Sequence, residues 1–328
     1  MQLRPLGSTD MMVSQLCLGT MTFGNETDEA ISRAQIDEFI GHGGNFIDTA
    51  DMYNAGASEQ IIGRAIAGRR DQVVLATKGR LPMGDDPRGA GRESLLRACD
   101  ESLRRLGTDH IDLYQIHWPD NDVPIAETLG ALAELVTAGK VRWIGCSNYG
   151  GWQLAEALAT SSANGWPSFV SLQSRYSLLS RELDMELLPN CCRHDIAVLP
   201  WSPLGGGVLT GKYSPAGTPP PDSRMNSAWS FMTHQLDERN QAIAAEVSRI
   251  AAETGRSMAQ IALNWVTNRP GITAPVLGAR TLEQLRDNLG SIGWKLDDEH
   301  TKALDRISRT PLVYPFDMHR SLGILKLT

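Results

Sequence analysis

The 328-residue sequence lacks any surplus of basic charge; its formal charge is −7. Surfaces that bind nucleic acid neutralise phosphates with clustered Lys and Arg. No basic run or basic amphipathic helix stands out here, so nucleic acid is not an expected partner. Long apolar runs are missing too. Nothing approaches the roughly 18 consecutive apolar residues of a membrane span, and Met1-Gln2-Leu3-Arg4-Pro5 has no signal-peptide core. Cysteine is sparse: Cys17, Cys99, Cys146, Cys191 and Cys192 make an odd count, and an adjacent pair bridges poorly. Free thiols in a reducing cytosol are the expectation, and with it a cytoplasmic protein. There is no C-x-x-C and no H-x-x-x-H, so no metal site is expected. A G-x-G-x-x-G turn after the first strand is also absent, since Gly19-Thr20-Met21-Thr22-Phe23-Gly24 does not fit it. That argues against a doubly wound dinucleotide fold.

What is present is a rhythm. Hydrophobic residues make up 41% of the chain, enough for a sizeable core. Leu3–Gly7 and Met11–Ser14 flank a turn and read as a hairpin. Apolar runs then end at Gly19, Asp48, Lys78, His117, Ser147-Asn148, Gln173, Trp201-Ser202 and Gly278-Ala279-Arg280. Between them lie helical stretches, about 28–42, 58 onward, 92–106, 124–138, 151–160 and 185–193, with 236–254 and 257–268 before the last run. The later strands are expected over 168–172, 196–200 and 272–277. Short, nearly continuous apolar strands alternating with helices predict a parallel sheet covered by helices, and eight such units predict a (β/α)8 TIM barrel. Residues 1–328 read as a single domain with an N-terminal β-hairpin and extra C-terminal helices, about 281–289 and 297–308. An irregular stretch from Leu204 to Gln235 interrupts the rhythm, and the tail after Pro311 reads as irregular.

In such a barrel the carboxyl ends of the strands share one mouth, where the reaction site is built. That mouth collects Asp48, Lys78 and His117, with Tyr53 on the loop just past the second strand. A free phenol, with a pKa of about 10, is a poor proton donor near neutrality. A neighbouring ammonium lowers that value, a carboxylate holds the ammonium charged, and an imidazole can orient a carbonyl oxygen. The set can protonate an alkoxide but holds no electron source, so a nicotinamide cofactor is implied. Ser147, Asn148 and Gln173 suit its carboxamide, Trp201 its ring, and Arg280 a phosphate. Gly206 to Lys212 matches G-x-x-x-x-G-K, but Tyr213 stands where a triphosphate loop needs Ser or Thr, so that reading is set aside.

The chain resembles the aldo-keto reductase family over nearly its whole length. The similar segments are Leu18–Gly24, Phe46–Tyr53, Gly139–Tyr149 and Trp201–Tyr213. The resemblance implies a catalytic tetrad of Tyr53, Asp48, Lys78 and His117, with Tyr53 the general acid, Lys78 and Asp48 its tuners, and His117 the carbonyl-orienting group. It implies NADPH/NADP held by Thr20, Met21, Ser147, Asn148, Gln173, Trp201, Ser202, Leu204, Gly206, Lys212, Arg224, Gly278, Arg280, Gln284 and Asn288. Arg280 at the expected 2′-phosphate position implies NADPH over NADH. Asn54 stands where many members carry Gly and is expected to alter the pocket rim only.

The implied reaction is reduction of an aldehyde or ketone, including a sugar or sugar derivative, by a monomer or homo-oligomer with a small-molecule carbonyl substrate. Potassium-channel β subunits and sugar reductases are similar in pattern. A slow redox-sensing subunit, and a sugar dehydrogenase or enoyl reductase on the same fold, are the alternatives. The channel subunits carry Asn at the tetrad histidine, so His117 favours ordinary catalysis. Outside the family, a barrel hydrolase or isomerase using Asp48 and Lys78 would bind no nicotinamide. Trp118, Trp229 and Phe231 are candidates for an apolar substrate wall.

Overall fold

A computed structural model of the chain describes residues 1–213, 223 and 236–323. The chain opens with an antiparallel hairpin, β1 (Leu3–Pro5) and β2 (Met12–Ser14), as expected. Eight parallel strands follow: β3 (Cys17–Gly19), β4 (Phe46–Asp48), β5 (Val74–Gly79), β6 (Ile111–Ile116), β7 (Val141–Ser147), β8 (Ser171–Arg175), β9 (Ala197–Trp201) and β10 (Val276–Leu277). Each pairs with its successor from β3 to β9, and β10 pairs with β3. Closure between β9 and β10 comes from a single bridge, Val198 to Ile272, backed by Thr273 N–H donating to Val198 O at 3.0 Å. The result is the expected (β/α)8 barrel.

Helices intervene in order: α1 (Glu29–Gly41), α2 (Ala57–Ile66), α3 (Arg92–Leu106), α4 (Ile125–Thr137), α5 (Gly151–Asn164) and α6 (Leu187–Arg193). Then α7 (Glu238–Thr254) and α8 (Met258–Thr267) precede β10, and α9 (Leu282–Leu289), α10 (Asp298–Ile307) and α11 (Phe316–Ser321) end the described chain. The sequence sets these boundaries. Asp28, Asp237, Ser257, Thr281 and Asp297 accept from the backbone N–H three residues on and cap α1, α7, α8, α9 and α10. Gly107, Gly165 and Gly255 take left-handed conformations where α3, α5 and α7 stop.

The structure differs from the expected elements by more than two residues in four places. β8 begins at Ser171 rather than 168, although Val170 N–H already bonds Ile144 O at 2.9 Å. β10 has two residues, not six, because Ile272 and Thr273 bond β9 instead of continuing the β10 ladder. α5 runs four residues further than the expected end at 160, to Asn164. The tail after Pro311 contains α11. Most of the irregular 204–235 stretch, with Arg224, Trp229 and Phe231, lies outside the described residues.

Strand side chains alternate between two layers. Outward residues such as Ile47, Leu75, Tyr114, Ile116 and Ile144 pack against the helices in one large apolar cluster. Inward residues Cys17, Phe46, Ala76, Leu113, Ala197, Leu199 and Ala274 fill the barrel with Leu6 and Val13 of the hairpin and Val170. Among the described residues no helix is long and apolar enough to cross a membrane.

Candidate active site

The next inward positions toward the carboxyl ends are polar. Phe46 gives way to Asp48, Ala76 to Lys78, Leu113 to Gln115 and then His117, and Ser171 to Gln173. Period-two alternation therefore stacks a polar layer directly on the apolar barrel core.

Lys78 is fully buried and Asp48 is 2% exposed; the Lys78 ammonium pairs directly with Asp48 Oδ1 and donates to Thr49 O at 2.9 Å. Asp48 Oδ2 accepts from Gln115 Nε2 and Gln173 Nε2, each at 2.9 Å. The carboxylate is thus held by an ammonium on one oxygen and two amides on the other. Burial alone would strip the lysine of its proton. Asp48, and then Tyr53, more than offset this, so the pKa lies above the ordinary lysine value and Lys78 stays charged. Its Nζ lies 5.2 Å from the centroid of the Tyr53 ring. Cys17, beside this pair, is no nucleophile, because burial pushes its thiol well up.

Tyr53 opens a one-turn 3-10 segment, Tyr53–Gly56, after β4. His117 meets its ring edge-on, with centroids 5.8 Å apart and planes at 79°. Burial, then Lys78 and Arg80, hold the imidazole pKa well below 6.5, so His117 is neutral at physiological pH. Its Nδ1 is buried without a hydrogen-bond partner among the described residues.

Asn54 and Ala55, next after the tyrosine, both sit in the left-handed region at φ 49° and 52°. Asparagine tolerates that conformation, which accounts for its standing where glycine is common. Its amide also donates to Met21 O at 3.0 Å and Phe23 O at 2.7 Å. Asn54 therefore does more than shape a rim; it fastens the tyrosine turn to the β3–α1 loop.

One cavity of about 940 Å³ runs from Tyr53 and His117 outward along the barrel mouth. Asp48, Thr20, Met21, Ser147, Asn148, Gln173, Trp201, Ser202, Leu204, Gly206, Lys212, Gly278, Arg280, Gln284 and Asn288 all line it. Lys78 stands behind the wall, and Arg224 lies outside the described residues. The donor set suits a dinucleotide. Gly205, Gly206 and Gly207 all take positive φ, and a Cβ on Gly207 would come 2.3 Å from Lys212 Cε. This leaves backbone and ammonium together at one wall, as a pyrophosphate requires. The rejected G-x-x-x-x-G-K stretch thus still lines the cavity, as a turn rather than a triphosphate loop.

Several expected cofactor contacts are already engaged within the chain, Gln173 with Asp48 among them. The Asn148 amide accepts from Trp201 Nε1 at 2.9 Å and donates to His117 O and Ser147 Oγ at 3.1 and 3.0 Å. Trp201 also faces the Arg175 guanidinium, 5.9 Å from its ring centroid. Asn148 is thereby a brace between Trp201 and His117. Gln115 was not anticipated, although a polar residue on the inward face of an apolar strand signals it. Nor was the acid pair behind the tyrosine loop. There Arg88 bonds Asp51 Oδ2 at 2.5 Å and Glu101 at 2.7 Å, and burial, outweighing Arg88, raises Asp51 to about 7.

The comparisons agree with the fold. Residues 15–309 match the model of the aldo/keto reductase family. The chain is 40% identical to the uncharacterized oxidoreductase YrpG of Bacillus subtilis, over 93% of this chain and 95% of the relative. It is 34% identical to the aldo-keto reductase YhdN of the same organism, over 96% of each chain. It is 33% identical to norsolorinic acid reductase stcV of Emericella nidulans, over 95% of this chain and 81% of that protein.

Proposed function

Since the chain belongs to the aldo/keto reductase family and is an oxidoreductase, we propose that it reduces an aldehyde or ketone to the alcohol, with Tyr53 as proton donor and a nicotinamide dinucleotide as cofactor. The observation that carries this reading is the buried Lys78–Asp48 pair set 5.2 Å from the Tyr53 ring, with a neutral His117 on the ring's edge.

A bound nicotinamide would supply hydride to the carbonyl carbon. The chain's own residues do the rest. Tyr53 donates the phenolic proton to the oxygen as negative charge develops there. Lys78, kept cationic by Asp48, stabilises the phenolate left behind, which makes the phenol a stronger acid. Gln115 and Gln173 hold Asp48 so that it faces Lys78 rather than solvent. A neutral imidazole offers a hydrogen bond to the carbonyl oxygen without adding charge. Ser147 and Gln173 suit the carboxamide, the Gly205–Gly207 turn with Lys212 the pyrophosphate, and Arg280, Gln284 and Asn288 the adenosine end. Trp118, 42% exposed at the mouth, offers an apolar wall to the substrate.

Tyr53→Phe tests the assignment. Aldehyde-dependent oxidation of NADPH should fall by about 10²–10⁴-fold, while quenching of tryptophan fluorescence by NADPH stays at the wild-type level. Unchanged turnover in the variant would remove Tyr53 from the reaction.

A further inference from the structure

The far end of the cavity finishes at Arg280, and the residue facing that guanidinium is an acid. Glu26, on the β3–α1 loop, accepts from Arg280 Nε at 2.9 Å. Both side chains are about a quarter exposed, at 24% and 23%, and both line the cavity. The loops that carry them are fastened together. Thr22 Oγ1 donates to Ala279 O at 3.3 Å, Thr27 Oγ1 to Arg280 O at 3.4 Å, and Gln35 Nε2 of α1 to Ala279 O at 3.2 Å. On the other side the Arg280 backbone N–H donates to Gln284 Oε1 at 2.9 Å. The loops that carry the carboxylate and the guanidinium are therefore bonded to each other, which the loops of an ordinary surface ion pair are not.

Resting on the reading of this cavity as a dinucleotide site, we infer that Glu26 is a specificity-determining residue, and that the site takes NADH as well as NADPH. In doubly wound dinucleotide sites a carboxylate accepts hydrogen bonds from the ribose hydroxyls and an arginine accommodates a 2′-phosphate, and the same chemistry is open to any site that presents these groups. Here the two are paired with each other. A 2′-phosphate carries a charge of about −1.5 to −2. To reach Arg280 it must displace Glu26 and then bear the repulsion of a carboxylate whose loop is bonded to the backbone of Ala279 and Arg280. An unphosphorylated ribose brings a neutral hydroxyl, which Glu26 can accept while it still neutralises Arg280. Arg280 alone favours NADPH, as the sequence implies; Glu26 pulls the other way, and the pair sets the balance.

The test is a set of dissociation constants for wild type and Glu26→Gln, read from tryptophan quenching with NADPH and NADH. Calorimetry with 2′,5′-ADP and 5′-AMP isolates the adenosine end. Glu26→Gln should tighten NADPH and 2′,5′-ADP by about tenfold, as expected for removing one like charge from a partly screened phosphate site. NADH and 5′-AMP should weaken several-fold in the same variant. Glu26→Ser, checked for folding by circular dichroism, should shift the ratio in the same direction. A ratio of NADPH to NADH affinity that is equal in wild type and both variants overturns the inference. Wild type that binds NADPH but not NADH overturns it as well, whereas failure of both dinucleotides to bind wild type is a different result, which removes the dinucleotide reading together with the inference.

Discussion

At the scale of single residues, the site is governed by which groups burial lets keep a charge. Lys78 is fully buried and stays protonated because Asp48 and Tyr53 offset the loss of solvent. His117 is buried beside two cations, Lys78 and Arg80, and stays neutral. The second case has a measurable sign. An unfolded histidine takes up its proton near pH 6.5, whereas the folded one does so well below that. Between those values the unfolded chain binds more protons, so acidification favours unfolding. His117's contribution is therefore fully present above about pH 6.5 and is lost as pH falls toward the folded pKa, at up to about 1.4 kcal/mol per pH unit. Urea midpoints at pH 7 and pH 5 should show wild type losing more stability on acidification than His117→Gln. Parallel losses would mean that His117 takes up its proton at the same pH in the native protein as in the unfolded chain.

At the scale of elements, strands place Asp48, Lys78 and Gln173, and loops place and fasten Tyr53. The strand-borne part was legible in the sequence. Apolar runs that stop at Asp48, Lys78, His117 and Gln173 mark strand ends whatever the tertiary details, and alternation sends those side chains inward. Gln115 was readable by the same rule, two positions before His117. The loop pairings were not legible. Asn54 to Met21, Arg88 to Asp51 and Glu26 to Arg280 join residues separated by 33, 37 and 254 positions, and local pattern carries no signal for such contacts. β10 was over-extended because Ile272 and Thr273 have strand composition but pair with β9 rather than with β3. The Asn54 clasp leads to a prediction about the tyrosine turn. Asn54→Asp keeps a residue that tolerates the left-handed conformation, but sets a carboxylate against the carbonyls of Met21 and Phe23. Asn54→Gly keeps the backbone and deletes the clasp. Both should lower kcat by about tenfold or more, through displacement of Tyr53, with dinucleotide affinity changed less. Wild-type kcat in both would reduce Asn54 to the rim residue that the sequence suggested.

At the scale of the whole molecule, the barrel separates stability from chemistry along its axis. The carboxyl end is polar and charged; the opposite end is closed by the β1–β2 hairpin. Leu6 and Val13 enter the barrel and complete its apolar filling with Phe46, Leu113 and Leu199. Gly7 presses on the barrel so closely that a Cβ there would come 2.4 Å from Val170 O. Arg4 Nη1 donates to Thr267 O, Ile272 O and Thr273 O at 2.9, 3.0 and 3.1 Å, and so ties the hairpin to the seam where β9 and β10 meet through one bridge. The hairpin therefore acts as the stopper of a barrel whose last seam has little ladder of its own. Leu6 is fully buried, and truncating it removes apolar contacts and leaves a cavity, at a cost of about 2–5 kcal/mol. Leu6→Ala should lower the urea midpoint accordingly, and at low urea the folded fraction should keep wild-type kcat and dinucleotide affinity. A loss of turnover in fully folded Leu6→Ala would show that the two ends of the barrel are coupled rather than separate.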